Sequence, residues 1–93
     1  MTSPASQLVL GGSYDLSGLA ALRSELLRVA ADRGEGPVHL DMGAVTAADI
    51  GFVQLLLSLE VSLSAAGRRL TATASEAVRT LFERSGAPLP AAA

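Results

Sequence analysis

The segment from Val38 to Gly67, VHLDMGAVTAADIGFVQLLLSLEVSLSAAG, decides the fold because it joins a strand signal to a helix signal. Its first five residues, VHLDM, alternate between apolar and polar, which is the period of a half-buried strand. From Ile50 to about Ala66 apolar residues recur at helical spacing, and a glycine follows where helices commonly end. The pattern therefore predicts a strand, a loop and a long helix that opens at Asp49.

Upstream of this segment the sequence predicts another strand and helix. QLVLGGSYD is apolar and β-prone up to Gly11 and Gly12, where a bulge or bend is expected. Ser17 is a candidate N-cap for a helix from Gly18 to about Asp32, which Gly34, Gly36 and Pro37 would end. The apolar stripe of that helix comprises Leu19, Leu22, Leu26 and Val29.

Downstream, RLTATA from Arg69 to Ala74 predicts a third strand. Ser75 then caps a last helix, which Gly86 and Pro88 end. The apolar residues of this helix are Val78, Leu81 and Phe82. Strand and helix alternate three times, and two such βαβ crossovers predict an α/β domain with a mainly parallel sheet.

Length and composition indicate one small cytoplasmic domain. The chain has 93 residues, of which 49% are hydrophobic, and we expect a folded unit over residues 7–87 between flexible termini at 1–6 and 88–93. The formal net charge of -2 and the absence of a dense basic run disfavour nucleic-acid binding. No secretory signal and no apolar run long enough to enter a membrane is present.

The side-chain inventory argues against an enzyme. Cysteine is absent, and all 7 basic residues are Arg, which excludes thiol chemistry, thiolate metal sites and a catalytic lysine. His39 is the only histidine, and it is more typical of a structural residue than of a metal ligand. We therefore expect no catalytic residue, no metal and no cofactor.

The predicted second helix has two apolar faces. Its broad core face comprises Phe52, Leu55, Leu56, Leu59, Leu63 and Ala66. Beyond a polar ridge lies a second stripe of Ile50, Val53, Leu57 and Val61. A helix packed on a sheet needs one apolar face, so the second must be covered. The cover is either another helix of this chain or a partner protein.

Residues Val38 to Gly86 resemble the STAS domain, the fold of anti-sigma-factor antagonists and related adaptor modules. LDMGAV is similar to the strand and loop of that family, and ADIGFVQLLL to the opening of its central helix. AAGRRLTATASEAVRTLFERSG is similar to the downstream strand and helix, and LVLGGSYD to the upstream strand that runs into Gly-Glu-Leu-Asp. The resemblance covers most of the chain, and it implies a STAS-like fold with a mainly parallel, mixed sheet.

The sequence departs from this family at the regulatory position. Members typically carry Asp followed by Ser or Thr at the helix opening, and in the regulated antagonists a partner kinase phosphorylates that hydroxyl. The motif Asp falls on Asp49, and Ile50 and Gly51 then stand at the phosphosite-equivalent positions without a hydroxyl group. Phe52 replaces the usual Gly, and Thr46 is the nearest hydroxyl. We also expect no counterpart of the extra strand that many members carry before the Gly-Glu-Leu-Asp-like segment, which would leave one sheet edge open.

The resemblance implies a non-enzymatic protein-binding module of signal transduction and transcription regulation. The first implied partner is an anti-sigma factor of the serine-kinase type. The alternatives are a chemotaxis or sensor-kinase assembly, the ATPase of a phospholipid-transport ABC complex, and a second copy of this chain in a homodimer. The expected contact residues are Thr46, Asp49, Ile50, Gly51, Phe52, Val53, Leu57 and Val61.

Overall fold

The computed structural model describes residues 6–31 and 36–90. Strands and helices alternate in the order β1 (Ser6–Tyr14), α1 (Leu16–Ala31), β2 (Val38–Ala48), α2 (Ile50–Ala65), β3 (Leu70–Ala74) and α3 (Glu76–Ser85). Within the described residues the sheet has three strands in the order β1-β2-β3, and both strand pairs are parallel. The predicted α/β class is confirmed.

The helices form one layer on one face of the sheet. Helix α2 contacts both α1 and α3, and α3 also packs on the central strand β2. Leu40 and Met42 point from that strand into this layer and are fully buried, while Leu10 and Leu70 do the same from the outer strands. Burial of each such side chain contributes about 1.5–3 kcal/mol of favourable transfer free energy. No helix in the described ranges covers the opposite face of the sheet.

Strand β2 is longer than the sequence predicted. The expected loop after Met42 is strand as far as Ala48, because residues 44–48 continue to pair with β1. Register shifts on both sides of Gly11 and Gly12 make this pairing irregular, which confirms the bulge expected there. A Cβ on Gly11 would lie 3.3 Å from Cβ of Ala44, so glycine permits the close approach of the two strands.

Helix α1 begins earlier than predicted, and its cap is a different residue. It starts at Leu16, and Oδ1 of Asp15 accepts hydrogen bonds from N–H of Ser17 at 3.0 Å and of Gly18 at 3.2 Å. The predicted N-cap, Ser17, therefore lies inside the first turn and donates its own hydroxyl to Asp15 at 2.7 Å. The helix ends at Ala31, and residues 32–35 lie outside the described ranges.

Helix α3 has both predicted ends. Oγ of Ser75 accepts the N–H of Val78 at 3.2 Å, and Gly86 closes the helix in the left-handed conformation with φ 70°. Residues 1–5 and 91–93 of the predicted flexible termini lie outside the described ranges. Leu89 is half-buried against the core and Pro90 is buried, so the described part of the C-terminal segment is packed. None of the described helices is long and apolar enough to cross a bilayer.

Candidate functional site

The carboxyl ends of β1 and β2 meet at one edge of the sheet, where α1 and α2 begin. Tyr14 and Ala48 are register partners at the ends of these strands. The N–H of Asp49 donates to the Tyr14 carbonyl at 3.1 Å, which ties the opening of α2 to the end of β1. In parallel α/β sheets this edge is where binding sites commonly lie.

Two aromatic rings anchor this junction. The rings of Tyr14 and Phe52 have centroids 5.3 Å apart and are tilted by 39°. Phe52 is fully buried, so its ring holds α2 to the body of the domain and is not exposed for the expected partner contact. Tyr14 was missed as a junction residue, since nothing in the local sequence pairs it with a ring 38 residues later.

Asp49 occupies the N-cap position of α2 but does not cap it with its side chain. Its backbone is extended, with φ -95° and ψ 171°, and no described amide donates to its carboxylate. Asp is a common capping residue type, but this carboxylate does not accept the first amides of the helix. The side chain is exposed at the rim of the junction and makes no capping hydrogen bond to the helix.

Asp15, at the start of α1, shows the opposite behaviour. The Ser17 hydroxyl, followed by the backbone N–H groups of Gly18 and Ser17, lowers the pKa of the Asp15 carboxyl below its ordinary value. Of the two carboxylates at this edge, Asp15 accepts hydrogen bonds from the first turn of its helix, and Asp49 does not.

Gly51 lies where the first turn of α2 approaches α1. A Cβ built at this position would be 2.6 Å from Cδ1 of Leu19, too close for an ordinary contact. A serine or threonine at this position would therefore require the Leu19 side chain to move. Gly51 itself is only partly exposed.

The second apolar stripe of α2 is divided by the fold. Val53 is 1% exposed and belongs to the core, so its side chain is not on the surface where the expected partner contact would lie. Ile50 is 53% exposed and Val61 is 69% exposed, while Leu57 is half-buried and packs against the edge of the core. We call Ile50, Leu57 and Val61 the α2 ridge. On the predicted core face, Leu55 is only half-buried and Ala66 is exposed.

Other polar residues have structural partners. Nδ1 of His39 lies 2.7 Å from Oγ1 of Thr71, and Nε2 lies 3.0 Å from Oγ1 of Thr73. Arg68 is buried, and its Nε donates to the Gly36 carbonyl at 2.9 Å. Over the described ranges no three His, Cys, Asp or Glu side chains are grouped to hold a metal ion.

Comparison with known families agrees with this architecture. The family model described as "Mlab, STAS domain" matches residues 1–87. The chain belongs to the STAS domain family. No curated protein matches it. The resemblance carried by LDMGAV and ADIGFVQLLL is thereby confirmed. In this STAS domain Asp49 stands at the junction, followed by the exposed Ile50 and the packed Gly51.

Proposed function

We propose that this STAS domain is a non-enzymatic docking module that binds a partner protein through the α2 ridge and the adjoining junction. The observation that carries the proposal is the exposure of Ile50 and Val61, 53% and 69%, on a helix whose opposite face fills the core. The contact surface also includes the half-buried Leu57, the exposed Asp49 and the exposed Thr46 on β2. Gly51 lies at the edge of this surface, and its lack of a side chain leaves room for Leu19 of α1.

The α2 ridge extends over about three turns of α2. Ile50 and Val61 are eleven positions apart, which spans about 16 Å along a helix. Neither side chain is among those packed against the core, so both are available without local unfolding. Burying two aliphatic side chains of this size under a partner contributes about 1.5–3 kcal/mol each.

The exposed negative charge at the junction favours a partner with a basic side chain at this point of the contact. The Asp49 carboxylate is exposed and has no hydrogen-bond donor among the described residues. An Arg or Lys of the partner can pair with it at the rim of the apolar contact. Such a rim charge affects specificity and association rate more than affinity.

The proposed docking is constitutive. Ile50 and Gly51 carry no hydroxyl, so a partner kinase cannot place a phosphate at the opening of α2. One partner that fits is an anti-sigma factor of the serine-kinase type, with this protein held in a binding-competent state. The alternatives are a subunit that stays bound in an assembly, such as the ATPase of a phospholipid-transport ABC complex, and a chemotaxis-associated adaptor.

The experiment pairs the purified protein with candidates of each class from the same genome. Wild type and Val61→Asp are compared by biolayer interferometry, with Leu27→Asp as the matched control because Leu27 is 56% exposed on α1. The proposal expects one class to bind wild type and Leu27→Asp equally and Val61→Asp at least about tenfold more weakly. An equal loss of affinity in Val61→Asp and Leu27→Asp would indicate a contact surface other than the α2 ridge.

The competing possibility is that a second copy of the chain binds the α2 ridge and forms a homodimer. Light scattering across a dilution series separates it from a heterologous partner. If the partner is a different protein, wild type and Val61→Asp should both have the mass of a monomer at every concentration. A dimer in wild type that Val61→Asp dissociates would assign the ridge to a second copy of the chain.

A further inference from the structure

A groove runs between helices α1 and α2. It has two hollows, of about 200 Å³ and about 400 Å³, which are continuous because Arg23, Leu55 and Ser58 line both. The larger hollow opens toward Gly51 at the start of α2, and the smaller one reaches Ser62. None of the described lining residues belongs to the α2 ridge, so the groove is a separate surface.

The smaller hollow is apolar. Leu26 and Leu59 form its floor and are only 4% and 3% exposed, while the half-buried Ala30 and Leu55 form its sides. Leu27 lies at the rim, is 56% exposed and is not among the side chains packed against the core. An apolar cavity of about 150 Å³ can hold a benzene molecule, so this hollow has room for a short alkyl chain.

The groove is long and narrow. Its lining runs from Arg23 to Ala30 on α1 and from Leu55 to Ser62 on α2, and each run of seven positions spans about 10 Å along its helix. Packed helices have axes about 8–10 Å apart, which leaves little width between their side chains. An unbranched chain therefore fits along the groove better than a broad ring system does.

Arg23 is the only charged side chain among the described residues that line either hollow. It is exposed and makes no ion pair or hydrogen bond within the described ranges. Arg28, on the same helix, is different because it pairs with Glu25 at 3.3 Å. Gln54 adds an exposed amide beside the larger hollow. An uncompensated cation where the two hollows meet favours a ligand with an anionic group.

We propose that the α1–α2 groove binds a free medium-chain fatty acid. The alkyl chain lies in the smaller hollow between Leu27 and Leu55, and the carboxylate pairs with Arg23 where the hollows meet. The smaller hollow is below the range of about 300–1,000 Å³ typical of sites for larger ligands, which favours one short chain over a lipid with two long chains. This site is independent of the docking proposed for the α2 ridge, so either can fail alone.

The probe is octanoate, titrated into the isotope-labelled full chain and followed by the NMR chemical shifts of the backbone amides. The expected result is a set of saturable shifts at Ala30, Leu55 and Ser62, with a dissociation constant on the order of 1 mM. Butyrate keeps the carboxylate on a shorter chain and should bind at least about tenfold more weakly. Octyl glucoside keeps the chain without the charge and should bind about fivefold more weakly.

Four variants separate the charge, the chain and the α2 ridge. Arg23→Gln is expected to weaken octanoate about fivefold and to leave octyl glucoside unchanged, while the matched Arg28→Gln changes neither. Leu27→Asp is expected to weaken both ligands, because it removes an apolar side chain at the rim. Val61→Asp, on the α2 ridge, is expected to weaken neither. All four positions are exposed, so the variants are expected to fold.

The absence of saturable shifts below about 10 mM octanoate would overturn the proposal. Equal binding of octanoate and octyl glucoside would also overturn it, as would an equal loss in Arg23→Gln and Arg28→Gln, because the carboxylate would then not be recognised. Binding of octanoate that Leu27→Asp leaves intact would place the ligand outside the groove. Shifts centred on Ile50 and Val61 would assign the alkyl chain to the α2 ridge instead.

Discussion

The ring of Tyr14 packs on the ring of Phe52, with centroids 5.3 Å apart, and this contact joins the end of β1 to the first turn of α2. Phe52 is fully buried, whereas Ile50, two positions earlier, is 53% exposed. The opening turn of α2 is therefore fixed on one side and open on the other. The fixed side gives the α2 ridge a defined position relative to the sheet.

Phe52→Ala is expected to destabilise the domain by about 3–5 kcal/mol, because it removes a fully buried ring and leaves a cavity beside Tyr14. Tyr14→Phe keeps the ring and removes only the hydroxyl that accepts the Gly11 N–H at 3.3 Å, at a cost below about 1.5 kcal/mol. Urea unfolding of the two variants and wild type measures this order. A larger loss for Tyr14→Phe would contradict it.

Asp15→Ala is expected to lower the urea midpoint more than Asp49→Ala. The Asp15 carboxylate accepts three hydrogen bonds at the start of α1, whereas Asp49 makes no side-chain cap bond at the start of α2. The two variants are matched, since each removes an exposed carboxylate at a helix opening. Equal midpoints would show that the Asp15 bonds contribute nothing measurable.

The same pair has a pH dependence of defined sign. Hydrogen bonds from Ser17 and Gly18 lower the pKa of Asp15 in the folded state below the ordinary value of 3.8. Its contribution is therefore complete above about pH 4, and it is lost as the pH falls through the lowered pKa. The midpoint difference between wild type and Asp15→Ala should shrink between neutral pH and acid. A difference that is constant with pH would rule out this linkage.

Gly51→Ser tests why glycine stands in the first turn of α2, at the position expected from the family resemblance to carry a hydroxyl. The new Cβ would lie 2.6 Å from Cδ1 of Leu19, so the single substitution forces the leucine side chain to move. In a Leu19→Ala background the clash is absent and serine regains helix propensity. We expect Gly51→Ser to be more favourable there by at least about 0.5 kcal/mol, measured as a double-mutant cycle. An identical effect in both backgrounds would mean that Leu19 does not select glycine.

Ile50→Ser restores a hydroxyl at an exposed position without disturbing the core, so its effect on stability should stay within about 0.5 kcal/mol. If the partner is a serine kinase, incubation with ATP should add phosphate to Ile50→Ser and leave wild type unmodified at residues 50 and 51. Intact-mass and peptide mass spectrometry read this out. Phosphate on Thr46 in wild type would instead reveal a displaced switch.

Local patterns in the sequence were sufficient for the order of elements and for several helix ends. Ser75 and Gly86 act within one turn of their own positions, and the structure places both as predicted. The continuation of β2 to Ala48 was not predictable in this way. It depends on pairing with β1 across the bulges at Gly11 and Gly12, which is a contact between distant parts of the chain.

The candidate site was predictable only in part, for a related reason. Helical periodicity groups Val53 with Ile50 and Val61, but it does not say which stripe the sheet covers, and the fold buries Val53. Asp49 and Asp15 both suit a cap by residue type. Whether the carboxylate reaches the helix amides depends on the local backbone conformation, and of these two residues only Asp15 makes such bonds. Tyr14 and Leu19 enter the site through contacts that no single helix or strand contains.

The most direct measurement is the dissociation constant of the identified partner for the double variant Ile50→Asp/Val61→Asp, obtained by isothermal titration calorimetry beside wild type and Leu27→Asp. Both substituted positions on α2 are exposed and outside the core, so the fold should persist. Docking on the α2 ridge predicts a loss of at least about a hundredfold for the double variant and none for Leu27→Asp. A dissociation constant within about twofold of wild type for the double variant would contradict it.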